Sequence, residues 1–218
     1  IVELHHICDS SHGTNVTVSF VMTKDLGRPR NLSIDGAVLS ATVDLLNERG
    51  YAELSVDAIA RAAGTSKPAI YRRWPSKAHL VHAAVFPIGA ATTLPDTGSL
   101  ATDVRDMLRR TVRFLSTPAA RAALPGLVGE MASDPTLHSA LLERFGDVLT
   151  SGLAGLLAAA AERGEVRPEV TAGDLAEVVA GMALMGVLAR GGELDTTWID
   201  RNTTLILKGI GTGKGSGT

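Results

Sequence analysis

The chain has 218 residues, 45% of them hydrophobic and 4% aromatic, with a formal net charge of −2. That length supports one sizeable core or two small ones, and the apolar share favours a globular, helix-rich protein over a disordered one. The single cysteine, Cys8, excludes a disulfide framework and a four-cysteine zinc site. The longest uncharged apolar run, between Val148 and Ala161, falls short of the ~20 residues of a membrane helix. Charge is unevenly spread. From Arg28 to Phe86 there are eight basic against five acidic residues, whereas from Pro87 onward 15 acids face 12 bases. A basic amino-terminal module on an acidic remainder suits a polyanionic partner for the first part only.

Residues 1–27 carry no sustained helical or strand period and are expected to be a disordered extension. Position 1 is Ile, and Met22 just before Thr23-Lys24-Asp25 is the expected biological start. Glu3 and Asp9 sit where a signal peptide needs its basic and apolar regions, so the expected location is the cytoplasm, with no membrane partner. His5, His6, Cys8 and His12 are metal-ligand types, but a site needs a folded loop around them and none is expected, so no metal is assigned.

Ser33 is positioned to cap a first helix reaching about Arg49, with Gly50 ending it and Ile34, Ala37, Val38, Ala41 and Leu45 on its apolar face. Ser55 caps a second helix whose inward face is Val56, Ile59, Ala60 and Ala63. Gly64 relieves the turn that follows, where a left-handed backbone is expected. Ser66 caps a third helix that tolerates Pro68 in its first turn, and Ile70 and Trp74 point together toward the first helix. A fourth runs from about Ser76 to Phe86. A Thr-, Gly- and Pro-rich loop, Gly89 to Gly98, separates this unit from helices near 99–116, 118–132, 135–163, 171–190 and 195–209. No segment alternates long enough for a sheet, so the fold class is all-α. The expected organisation is a helix-turn-helix DNA-binding domain at 28–86, a larger helical-bundle ligand-binding and dimerisation domain at 87–210, and a flexible tail at 211–218.

Through GRPR, LLNERGY, LSVDAIARAAGTSK and AIYRRWPSKAHLV, between Gly27 and Val85, the chain resembles the TetR family of bacterial transcriptional regulators. A weaker resemblance continues through PDTGSL, LSTPAARAAL and DPTLHSALLERF, so it covers nearly everything after Met22. It implies a homodimer that binds double-stranded operator DNA through the third helix. It also implies release when an unidentified small molecule enters the larger domain and spoils the half-site spacing, with helix 76–86 as the link. The last two helices would then form a four-helix bundle with the second subunit.

The chemistry of the third helix agrees with that role. The major groove admits one helix flanked by phosphates, which calls for small or hydrogen-bonding groups at its start and cations or hydroxyls alongside. Thr65, Ser66, Lys67 and Ala69 occupy the start, and Lys67 is the candidate for reading guanine O6 or N7. Ser55, Tyr71, Arg72, Arg73 and Lys77 are the candidate phosphate contacts, and Tyr71, Arg73 and Lys77 match family positions that touch phosphates. The family often has Thr, Ser or Gly where this chain has Ala69, which can pack on a thymine methyl but cannot hydrogen-bond. Arg28 and Arg30 either follow a phosphate strand or enter the minor groove.

In the larger domain Phe114, Leu115, Met131, Phe145 and Leu149 line an effector pocket or form ordinary core. Val178, Met182, Met185, Trp198 and Leu205 face a second subunit or close the subunit's own core. A single recognition helix reads too little DNA, which favours the dimer. No nucleophile motif or paired His-Glu site occurs, and the tail GIGTGKGSGT has the wrong spacing for a phosphate loop. The chain is therefore read as a ligand-responsive regulator, not an enzyme, with no cofactor. A helical small-molecule-binding protein without specific DNA recognition is the alternative.

Overall fold

Seryl, threonyl and aspartyl side chains start nearly every helix of this chain. The computed structural model describes residues 32–86, 96–190 and 194–212, without the side chains of 32, 33, 138 and 140–151. Nine helices lie among the described residues: α1 (Leu32–Glu53), α2 (Val56–Ala62), α3 (Lys67–Tyr71), α4 (Lys77–Val85), α5 (Leu100–Leu115), α6 (Pro118–Met131), α7 (Pro135–Glu162), α8 (Ala172–Arg190) and α9 (Thr196–Ile210). Ser55, Ser66, Ser76, Ser99, Thr117, Asp134 and Asp195 each accept a backbone N–H from the first turn that they precede. At α8, Thr171 and Asp174 exchange side-chain-to-backbone hydrogen bonds of 2.9 and 3.1 Å. No strand occurs among the described residues; Val166 and Gly211 form one isolated bridge. The all-α reading is confirmed.

The first helix differs in detail from its expected form. It starts at Leu32, so Ser33 lies within the first turn instead of before it. Val38, Ala41, Thr42 and Leu46 are buried, while Leu45 is half-buried and Ala37 exposed. The inward stripe is thus turned by about one residue toward Thr42, whose hydroxyl donates to the Val38 carbonyl at 2.7 Å. Gly50 has φ +75° and takes the chain out of the helical path before Tyr51.

One hydrophobic core runs through the described residues. In it α1 packs on α4 and α6, α5 on α8 and α9, and α7 on α8. The helices on either side of residue 87 therefore touch directly, chiefly through α6. Helix α8 is long and apolar enough to cross a bilayer. Leu175, Val179, Ala183, Gly186 and Val187 form its face buried against neighbouring helices, while Val178, Met185 and Leu188 are exposed.

Candidate nucleic-acid interface

Two capped helices meet at a glycine turn. Ser55 Oγ accepts from the Ala58 N–H at 3.2 Å and Ser66 Oγ from the Ala69 N–H at 3.3 Å. Between them Gly64 sits at φ +63°, and the Thr65 N–H returns to the Ala60 carbonyl at 2.9 Å. Val56, Ile59 and Ala60 of α2 and Ile70 of α3 face inward. Trp74 is half-buried against the same core, and Ile34 and Val38 of α1 meet Ala69, Ile70 and Trp74 at a shallow concavity. With Ile70 turned in, Lys67, Tyr71 and Arg72 are exposed, Ser66 is exposed at the entrance, and Thr65 and Ala69 are half-buried.

The cations of this face differ in what holds them. Lys67 Nζ is 2.8 Å from Asp57 Oδ2 on α2, and the hydrogen bond, then the charge of Asp57, raises the lysine pKa. Arg73 forms an ion pair with Asp35 of α1 and donates to the Ala69 carbonyl at 3.3 Å. Lys77, at the start of α4, donates to the Tyr51 carbonyl at 3.1 Å and lies 4.1 Å from the centre of the Tyr51 ring. Arg72 has no ion pair among the described residues. Asp35, Tyr51 and Asp57 were not singled out from sequence, and no local spacing rule links them to their cationic partners. Arg61, exposed in the last turn of α2, adds a cation to the same unit. Arg28 and Arg30 lie outside the described residues.

Of the proposed pocket residues, Phe114 is half-buried, with its ring 5.3 Å from Phe86 at the C-terminal end of α4 in an edge-to-face arrangement. Phe86 also stacks at a tilt, 5.4 Å from buried His82. Leu115 and Met131 pack half-buried on the core; the side chains of Phe145 and Leu149 lie outside the described set. The residues proposed for subunit contact divide. Met185 is 61% exposed and Leu205 53%, with Val178 and Leu188 also exposed and Met182 half-buried. Trp198, expected on that face, is 8% exposed and belongs to the subunit's own core instead. Gly186 makes room for it: a Cβ there would lie 2.8 Å from Trp198 Cζ2.

Comparison with known proteins gives this arrangement a family. Residues 38–84 match the model of the bacterial regulatory proteins, tetR family, and residues 94–206 that of the tetracyclin repressor-like C-terminal domain. The chain is 35% identical over 170 residues to the DNA-binding transcriptional repressor TetR of Mycobacteroides abscessus, covering 76% of this chain and 87% of that one. It is 29% identical over 192 residues to the HTH-type transcriptional regulator YdeS of Bacillus subtilis, covering 87% and 96%. Among solved structures it resembles the TetR family transcription regulator SCO0332, with a TM-score of 0.62, 27% identity, and 82% and 98% of the two chains covered. Salmonella enterica GusR, at 19% identity, shares the fold with a TM-score of 0.60 over 83% and 96%. The amino-terminal helix-turn-helix and the helical carboxy-terminal domain make this chain a member of the TetR family of transcriptional regulators, which are not enzymes.

Proposed function

We propose that this regulator is a repressor that binds operator DNA as a homodimer in the bacterial cytoplasm and is released by a small molecule. The observation that carries the reading is the face of α3, where Lys67, Tyr71 and Arg72 stand exposed while Ile70 is anchored inside. Thr65, Ser66, Lys67 and Ala69 read base edges; Ser55, Tyr71, Arg72, Arg73 and Lys77 hold the backbone, with Arg28 and Arg30 ahead of them. The exposed Val178, Met185 and Leu205 supply an apolar surface for the second subunit, with Met182 at its edge. The effector enters among Phe114, Leu115, Met131, Phe145 and Leu149. Phe86, which caps the end of α4, touches Phe114 of α5, so a ligand that displaces Phe114 reaches the DNA-binding unit through α4. A coupling of about 1–3 kcal/mol lowers operator affinity roughly 5–150-fold.

Binding-site selection from random duplexes, followed by titration of the enriched duplex at several salt concentrations, tests the proposal. Sub-micromolar, sequence-dependent binding with a steep salt slope is expected. Weak binding indifferent to sequence would leave the small-molecule-binding alternative.

A further inference from the structure

Tyr51 occupies the junction between α1, α4 and α6, and its hydroxyl and its carbonyl are committed to different helices. It is 9% exposed and follows Gly50, whose positive φ turns the chain out of α1. On one side it is held by α6. Its hydroxyl donates to Glu130 Oε1 at 2.6 Å. One turn earlier on the same helix its ring packs closely against Gly126, where a Cβ would be 2.1 Å from Tyr51 Cδ1. On the other side it holds Lys77, through its carbonyl at 3.1 Å and its ring face at 4.1 Å. Burial, then the hydrogen bond to Glu130 and its charge, push the phenol far above its ordinary range, so the hydroxyl remains a donor at every physiological pH.

We propose that Tyr51 is a positioning residue that ties α6 of the larger domain to Lys77, setting where that ammonium meets the DNA backbone. The inference rests on the reading of Lys77 as a phosphate contact. Two attachments one helical turn apart, at Gly126 and Glu130, fix both the height and the tilt of the ring against α6. A ring packed on bare backbone has no slack, so displacement of α6 is passed to the tyrosine. Lys77 is bound to that same residue by two further contacts. The ammonium therefore follows α6 through Tyr51 in addition to the direct packing of α4 on α6.

A tyrosine that merely fills the core makes a different prediction, and a double-mutant cycle separates the two. The probe is the duplex that the unmodified protein enriches from a random pool. Its affinity is measured by fluorescence anisotropy for Tyr51→Phe and Glu130→Ala, each with and without Lys77→Ala. Both single changes keep the ring, and Ala preserves the α6 helix. Each is expected to weaken binding about three- to tenfold when Lys77 is present and less than about twofold when it is absent. The Tyr51→Phe/Glu130→Ala pair should be no weaker than either alone, because both remove one bond. If Tyr51→Phe fails to fold, Glu130→Ala carries the cycle. Losses of equal size in both Lys77 backgrounds, or no loss at all, would overturn the proposal. Failure of the unmodified protein to enrich any duplex would instead defeat the operator-binding reading, and this inference with it.

Discussion

Lys67 Nζ lies 2.8 Å from Asp57 Oδ2, so the first residue of α3 is paired with the helix before it. On the proposed reading of Lys67 as a base contact, the ammonium is oriented by Asp57 and would trade its carboxylate for a base edge when DNA arrives. Both side chains are about half exposed, which keeps the exchange inexpensive. Asp57→Asn is expected to strengthen binding to random-sequence DNA by about threefold and to narrow the margin for the selected duplex. The melting temperature should barely move. Anisotropy titrations with selected and scrambled duplexes check this, and an unchanged ratio between the two would show that Asp57 takes no part in discrimination.

Within α8, two glycines five residues apart have opposite surroundings. A Cβ on Gly186 would lie 2.7 Å from Leu194 Cδ1 and 2.8 Å from Trp198 Cζ2, whereas one on Gly181 meets nothing within 4 Å. Gly186→Ala should destabilise the fold by about 1–3 kcal/mol through overpacking. Gly181→Ala should leave it unchanged or up to about 1 kcal/mol more stable through helix propensity. Urea unfolding of the two variants at one protein concentration decides the comparison.

Met185 and Leu205 expose apolar side chains on the last two helices. Placing a carboxylate at either position, by Met185→Glu or Leu205→Glu, should give monomers at micromolar concentration while helix content is retained. Sedimentation velocity with circular dichroism measures both. Dimers in both variants would move the subunit contact to another surface.

Acid should loosen several helix starts together. The Thr136 hydroxyl, then the Leu137 N–H, lower the pKa of Asp134, and the Thr171 side chain and N–H lower that of Asp174. A folded-state pKa below the unfolded one gives stability that is complete above the ordinary carboxylate range, near pH 4, and is lost as pH falls through the depressed values. Urea midpoints should therefore decline below about pH 4. Asp134→Asn should flatten part of that decline, and an unaltered acid limb would assign the effect to other carboxylates.

The sequence by itself determined where α2, α3 and α4 begin, because a cap is a contact between residues two or three apart, although the expected Ser33 cap of α1 proved to lie inside that helix. Ser55, Ser66 and Ser76 announce α2, α3 and α4, and Gly64 announces the turn between the first two. It also determined the inward placement of Val56, Ile59 and Ile70, on helices too short to present more than one apolar side. Along α1 the periodicity pointed to the face through Ala37 and Leu45. Only packing against α4 and α6 chose the one through Thr42 and Leu46. The division between Trp198 and Leu205 was likewise invisible, since both are apolar and only the approach of α9 to Gly186 says which is covered. Tertiary structure alone paired Lys67 with Asp57, Arg73 with Asp35, and Tyr51 with Glu130. Such pairs depend on how separate helices cross, which side-chain spacing within one helix cannot encode.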